Sequence, residues 1–298
     1  MSETVVVTDS TCGLPEAVRK EWGVTAVSLY VLFPDGTRRR EDELDPDQFY
    51  QDLVQDDRTP STSAPDVDDF VLAYEPLLAQ GHRIVSVHIS SGMSETCNNA
   101  RQAADRLGAG DRVEVVDGAS AGGAVGLLVL AASAGAAAGE DPATVVRRVR
   151  GARQTMKNWF VLDTLEFLKR GGRIGGGAAW LGSRLQVKPI LTAEAEIRAV
   201  ERVRTRERAF DRMVDFAHRL HAAGGDAWVV QHGHNAAAAE ELVNRAQKIF
   251  RRPPVFVSEF TAVLGTHTGP GIILLAGLDP VWLDRDAVPP VDPSPSLG

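Results

Sequence analysis

"RIVSVHISSGMSETCNNARQAADRLG" spans residues 83–108. It opens on a β-branched, apolar run that reads as a buried strand and closes with the texture of a helix. Between the two lie four hydroxyls in seven positions, Ser90, Ser91, Ser94 and Thr96. A strand that feeds a short polar loop straight into a helix is one unit of a parallel sheet. The same unit recurs on both sides. TVVVTD (residues 4–9) is followed by LPEAVRKEW with helical spacing, and RVEVVD (112–117) by GASAGGAVG and an Ala-rich helix. VTAVSLYVLF (24–33) is strand-like up to the turn PDG. DPDQFYQDLVQ starts a helix with Asp45 as cap and Pro46 in the first position. DDRTPSTSAPDVDDF reads as a polar loop, with Ser63 as the expected cap of the next helix, Pro65 in its first turn and Asp66 three residues on. The connections are too long for hairpins, so the first half is expected to be a doubly wound, mainly parallel α/β domain, residues 1–156.

After NWFVLD the texture changes. TLEFLKRGGRIGGGAAWLGSRL is helical around a glycine-rich loop, and VKPILTAEAEIRAVERVRT reads as two antiparallel strands. Helix, strand, helix and strand follow, then GIILLAGL as a last strand. The spacing predicts a second α/β domain with a mixed sheet over residues 157–278. Residues 279–298 are rich in proline without periodicity, and the expectation there is disorder.

Bulk composition excludes several classes. The chain has 298 residues, 44% hydrophobic and 24% charged, which is ordinary for a globular protein with a large core. A net charge of −8 disfavours nucleic acid, whose binding rests on phosphate neutralisation. No polybasic or basic amphipathic stretch suggests a membrane surface. The apolar run GGAVGLLVLAASAGAAAG (122–139) lacks anchors and is mostly Gly and Ala, so a buried helix is expected rather than a membrane span. The start shows no leader pattern, and Cys12 and Cys97 stand far apart outside any CxxC, which fits buried thiols in a reducing cytoplasm.

In an open parallel sheet, ligands bind beyond the carboxyl ends of the strands. Three such ends carry small polar residues: TDSTCG (8–13), HISSGMS (88–94) and VDGAS (116–120), with PSTSAP (60–65) as a fourth contributor. A serine hydrolase needs a G-x-S-x-G turn. Here Thr96 replaces the last glycine of Gly92-Met93-Ser94-Glu95-Thr96, and no carboxylate can be assigned to His88 or His267. Nucleotide signatures are absent: no Gly-Lys pair occurs, and no G-x-G-x-x-G follows the first strand. His232 and His234 are too few for a metal motif, and no metal is expected. A hydroxyl cluster at a helix start can hold an anion through hydroxyls and free N–H groups, or it can merely cap the helix. The sequence leaves both open.

TDSTCGLP, TPSTSAP, ISSGMSET, LEFLKRGGRIG, VKPIL, RVRTRERA and THTGPG occur in an order and spacing that resemble the DegV family, over residues 5–278. The resemblance implies two α/β domains with one long-chain fatty acid between them. It implies the binding subunit of a bacterial fatty acid kinase, in which a separate ATP-binding subunit phosphorylates the carboxylate. On that view the protein is no enzyme and needs no cofactor. It is expected as a cytoplasmic monomer without nucleic acid or membrane insertion. Thr62 and Ser94 would hold the carboxylate with His267 close by, and Arg204 would contact the kinase. Ser63, Ser91, Gly92 and Arg173 are secondary ligand candidates. Two positions depart from the family pattern: Glu95 replaces a glycine beside the proposed carboxylate, and Cys97 an aromatic. The small residues of GASAGGAVGLLVLAASAG (118–135) suit a tunnel wall or close helix–sheet packing. The alternatives are a hydrolase or acyltransferase using Ser94 and His267, and a phosphate- or phosphosugar-binding protein.

Overall fold

The computed structural model describes residues 3–55, 60–180 and 187–287. The first half builds a four-stranded, all-parallel sheet in the order β2-β1-β6-β7 from β1 (Thr4–Asp9), β2 (Val24–Val27), β6 (Arg83–His88) and β7 (Val113–Asp117). Helices α1 (Glu16–Glu21), α3 (Val67–Ala79), α4 (Thr96–Arg106), α5 (Gly123–Ala137) and α6 (Pro142–Thr155) make the crossovers and cover its faces. The second half forms a mixed six-stranded sheet in the order β10-β9-β8-β13-β11-β12. Its strands are β8 (Lys157–Val161), β9 (Lys188–Glu194), β10 (Glu196–Val203), β11 (Ala227–His232), β12 (Phe256–Glu259) and β13 (Ile273–Leu278). Helices α7 (Glu166–Arg170), α8 (Arg206–Ala222), α9 (Ala236–Phe250) and α10 (Ala262–Thr268) complete it. A parallel sheet followed by a mixed one is the fold class expected from the sequence.

Four local expectations are corrected. VTAVSLYVLF is two strands, broken at Ser28 and Leu29. The second, β3 (Tyr30–Leu32), is the centre of a small antiparallel sheet with β4 (Arg38–Arg40) and β5 (Ser61–Ser63). Ser63 therefore lies in a strand, not at a helix start. Asp66 occupies the N-cap position of α3, and its N–H donates to the Asp69 carboxylate at 2.7 Å. Helix α10 was not expected, because the seven residues are too few to show a period. The tail is ordered at least to residue 287. Pro280–Leu283 form a 3-10 turn and Trp282 is buried. The fully buried Arg148 donates to the carbonyls of Trp282, Asp284 and Ala287 at 3.2, 3.3 and 2.9 Å and pairs with Glu140 at 2.6 Å. Residues 288–298 lie outside those described. Helix α2 (Pro46–Gln55) starts at the expected proline.

Helix α5 explains how the two sheets come together. It packs against β1 and β6 on one side and β11 and β13 on the other, so every residue from Gly123 to Gly135 is buried. A side chain at Gly126 would stand 2.8 Å from the Cys12 carbonyl of the first half and 3.0 Å from the Phe256 ring of the second. Gly126 therefore serves close packing between two sheets, and of residues 118–135 only Ala121, just before the helix, lines the cavity described below. Among the described residues no helix is long and apolar enough to cross a membrane.

Candidate functional site

The hydroxyls of the SSGMSET turn divide between two tasks. Ser90 is fully buried and donates to the carbonyl of Ala195, at the tip of the β9–β10 hairpin. The Ala195 N–H returns a bond to Ala119 O at 2.7 Å, and Ser120 Oγ donates to Ala193 O at 2.9 Å. Ala119 and Ala195 both adopt positive φ, 46° and 56°, a conformation unusual for alanine and held here by the contact between them. Gly92 has no room for a side chain because Ala195 O lies against it. These residues thus pin the hairpin of the second half onto the loops of the first. Ser91 is exposed and donates to Asp117. Neither Ser91 nor Gly92 lines the cavity that Ser94 reaches.

Ser94 has the second task. It lies at the rim of a cavity of about 380 Å³ between the two halves. The buried interior is apolar: Leu29, Ile89, Phe160, Leu168, Ala193 and Leu274 are among its walls. Thr62, Ser63, Ser94, Arg173 and His267 bring polar groups to the same space, and the exposed Asp66, Glu95 and Arg173 mark its open side. Strand β5 carries Thr62, the loop after β6 carries Ser94, and α10 carries His267. Asn99 on α4 donates to Pro65 O at 2.8 Å and so ties the β5 loop to the Ser94 helix. Spacing on α4 could have marked Asn99 as a site residue, since it stands four positions after Glu95 on one face.

Thr62 Oγ1 and His267 Nε2 are 2.7 Å apart. The other ring nitrogen, Nδ1, is buried with no hydrogen-bond partner among the described residues, and so is Ser63 Oγ. Burial, helped by the nearby Arg173 charge, pushes the His267 pKa down to about 4, so the imidazole is neutral at neutral pH. The ring fits because position 171 is glycine: a side chain there would collide with Nδ1. Arg173 reaches back to Gly171 O at 2.6 Å and Met93 O at 3.3 Å, which places its charge beside the Ser94 turn. Ser94 Oγ is 2.8 Å from Thr96 Oγ1. Glu95 is exposed, and its carboxylate accepts from Asn98 Nδ2 at 3.3 Å. Asp66 is paired with Arg38 at 2.7 Å. Both rim carboxylates thus have partners outside the cavity.

This arrangement gives a hydrolase little support. Ser94 bonds Thr96 and His267 bonds Thr62, and among the described residues no carboxylate orients His267 Nδ1. A Ser–His–Asp chain does occur elsewhere. His88 Nδ1 is 3.0 Å from Asp9 Oδ2 and its Nε2 is 2.7 Å from Ser86 Oγ, which also accepts from Tyr74 OH at 2.7 Å. All four residues are fully buried, so this chain is a core network. Asp9 also accepts the Ile89 N–H at 3.0 Å and thereby fixes the start of the site loop. Its partnership was readable in principle, because Thr8 pairs with Val87 in the parallel register and sets Asp9 beside His88. Cys12 and Cys97 are buried, and burial raises both thiols to about 12.

Asp47, His234 and Glu259 hold their ligand atoms within 4.8 Å of one another and are, among the described residues, the group that could take a metal ion. Of these ligand atoms, the Glu259 carboxylate already serves the fold, and His234 Nδ1 lies 3.7 Å from Asp47 Oδ1. Glu259 accepts the His234 N–H at 2.8 Å, and the neighbouring His232 Nδ1 accepts from Asn235 at 3.4 Å. Arg204 is exposed, just after β10 and outside the cavity.

Fold and site together define an α/β protein with an apolar, polar-rimmed cavity between two sheets. The chain belongs to the DegV family: it matches the family described as "Uncharacterised protein, DegV family" over residues 3–276. A DegV domain-containing protein of Clostridium perfringens is 34% identical over 269 residues, which is 89% of this chain and 94% of the relative. Among solved structures, a DegV family protein from Thermus thermophilus, described with fatty acid binding, superposes with a TM-score of 0.84 at 33% identity. The match covers 93% of this chain and 99% of that one. DegV from Bacillus subtilis, described as a fatty acid binding protein, gives 0.84 at 29% identity over 94% and 100% of the two chains.

Proposed function

We propose that this protein binds one long-chain fatty acid in the cavity and presents its carboxylate to a separate ATP-dependent kinase subunit. The observation that carries the reading is one cavity of about 380 Å³ with apolar walls that Thr62, Ser63, Ser94 and His267 also line. Its size is within the range of small-molecule sites. An acyl chain of about 14 methylenes offers roughly 11 kcal/mol of gross hydrophobic driving force, against the costs of association. The carboxylate then needs only enough hydrogen bonding to offset its desolvation. Thr62 Oγ1, Ser63 Oγ and Ser94 Oγ are hydroxyls of the right kind, and Arg173 supplies charge at the open side.

Neutral His267 and hydroxyl donors leave the carboxylate nucleophilic. In the partner's reaction a carboxylate oxygen attacks the γ-phosphorus of ATP, the bond to the departing ADP breaks, and an acyl phosphate forms. On this reading the chain itself is the binding subunit, not the catalyst, acting in the cytoplasm as a monomer. Fatty acid binding by the Thermus and Bacillus relatives supports the ligand class. Native mass spectrometry of the protein as purified, followed by lipid analysis, tests it. An added mass matching one fatty acid is expected. A protein that stays unliganded with palmitate and oleate overturns the reading.

A further inference from the structure

We infer that Glu41 is a positioning residue for the head-group pocket: from behind the cavity wall it holds α10 where His267 meets Thr62. Its binding readout rests on the fatty acid reading above. Glu41 is 6% exposed and does not line the cavity. A buried carboxyl group costs free energy unless it is hydrogen-bonded, so its partners show what it does. Oε2 accepts the Val263 N–H at 3.0 Å, and Oε1 accepts the Ser10 hydroxyl. Ser10 Oγ in turn accepts the Leu29 N–H at 2.9 Å. One side chain thus joins three segments far apart in sequence.

The two outer segments are cavity walls. Leu29 and Val263 both line it. Val263 is the second residue of α10, where a helix offers its N–H no internal partner. Four residues on, His267 stands on the same face of the helix as Val263. Holding the Val263 N–H therefore sets where α10 begins and where its imidazole points. Burial raises the Glu41 pKa, while the Ser10 and Val263 bonds oppose that shift. The carboxyl group can accept the Val263 N–H in either protonation state.

The test compares Glu41→Met with Glu41→Gln in the full chain. Met matches the length without an acceptor, whereas Gln keeps a carbonyl oxygen for Val263. Palmitate affinity and hydrogen exchange at the Val263 amide are the readouts. Met is expected to weaken palmitate binding about tenfold and to speed exchange, and Gln to restore most of both. In a His267→Ala background the Met change should add little, because its effect travels through α10. The inference is overturned if the Met variant folds and binds like the parent, or if Gln does no better than Met. Should the Met variant fail to fold, exchange in the unaltered protein decides. Protection of Val263 like that of interior helical amides supports the role, and rapid exchange overturns it. Absence of palmitate binding by the unaltered protein would strike the fatty acid reading alone, since the exchange experiment needs no ligand.

Discussion

Thr62 Oγ1 and His267 Nε2 meet at 2.7 Å although 205 positions separate them. The bond ties the small antiparallel sheet to α10 and sets one corner of the cavity. Thr62 and Ser94 line the same cavity from separate segments of the first half. Thr62→Ala and Ser94→Ala are each expected to weaken fatty acid binding by about 1–3 kcal/mol, the usual cost of leaving a buried polar group unpaired. Titration calorimetry with palmitate measures it. If both changes are silent, the carboxylate is held elsewhere.

The depressed His267 pKa makes stability depend on pH. The folded value is about 4 against an ordinary 6.5. Between these values the unfolded chain takes up the proton and the folded one does not. The contribution is therefore complete above about pH 6.5 and is lost as pH falls towards 4, by roughly 3 kcal/mol in all. Urea unfolding at pH 7 and pH 5 should show a smaller difference in His267→Gln than in the parent. Equal differences would mean that another group is responsible.

Gly171 has ordinary helical backbone angles, φ −74° and ψ −6°, so alanine strains nothing in the chain itself. Its side chain would nevertheless collide with the His267 ring. Gly171→Ala is expected to cost about 1–3 kcal/mol of stability and to weaken fatty acid binding, because the imidazole must leave Thr62. Thermal unfolding and calorimetry together check this. An unchanged variant would mean that the ring has another place to go.

Arg204 is exposed and clear of the cavity. If Arg204 docks the proposed kinase subunit, Arg204→Ala should leave palmitate affinity unchanged and reduce acyl phosphate formation when that subunit and ATP are supplied. A parallel loss of affinity and phosphorylation would remove the docking role.

Strand ends placed the segments of Thr62 and Ser94 at one crevice, and motif resemblance gave them, with His267, the head-group role. Thr62, Ser94, His267 and Arg173 were named and do share one cavity. Ser91 and Gly92 sit in the same motif but point to other duties, since Ser91 bonds Asp117 and Gly92 makes room for Ala195. Nothing local separates Ser90, which bonds across the joint, from Ser94 four positions on. Glu41 gave no signal because its partners, Ser10 and Val263, are 31 and 222 positions away.

What the sequence determined by itself is the main parallel sheet of the first half, the mixed sheet of the second and the burial of α5, but not β4, β5 or α10. Those properties follow from hydrophobic period and from caps such as Asp45, which act within a few residues. Only the tertiary structure decided that α5 lies between two sheets, that residues 279–287 dock on Arg148, and that Ser90 and Ser120 fasten a hairpin. The same hydroxyl can cap a helix, hold an anion or bond a distant carbonyl. Which of these it does depends on the partner that long-range packing brings within hydrogen-bond reach.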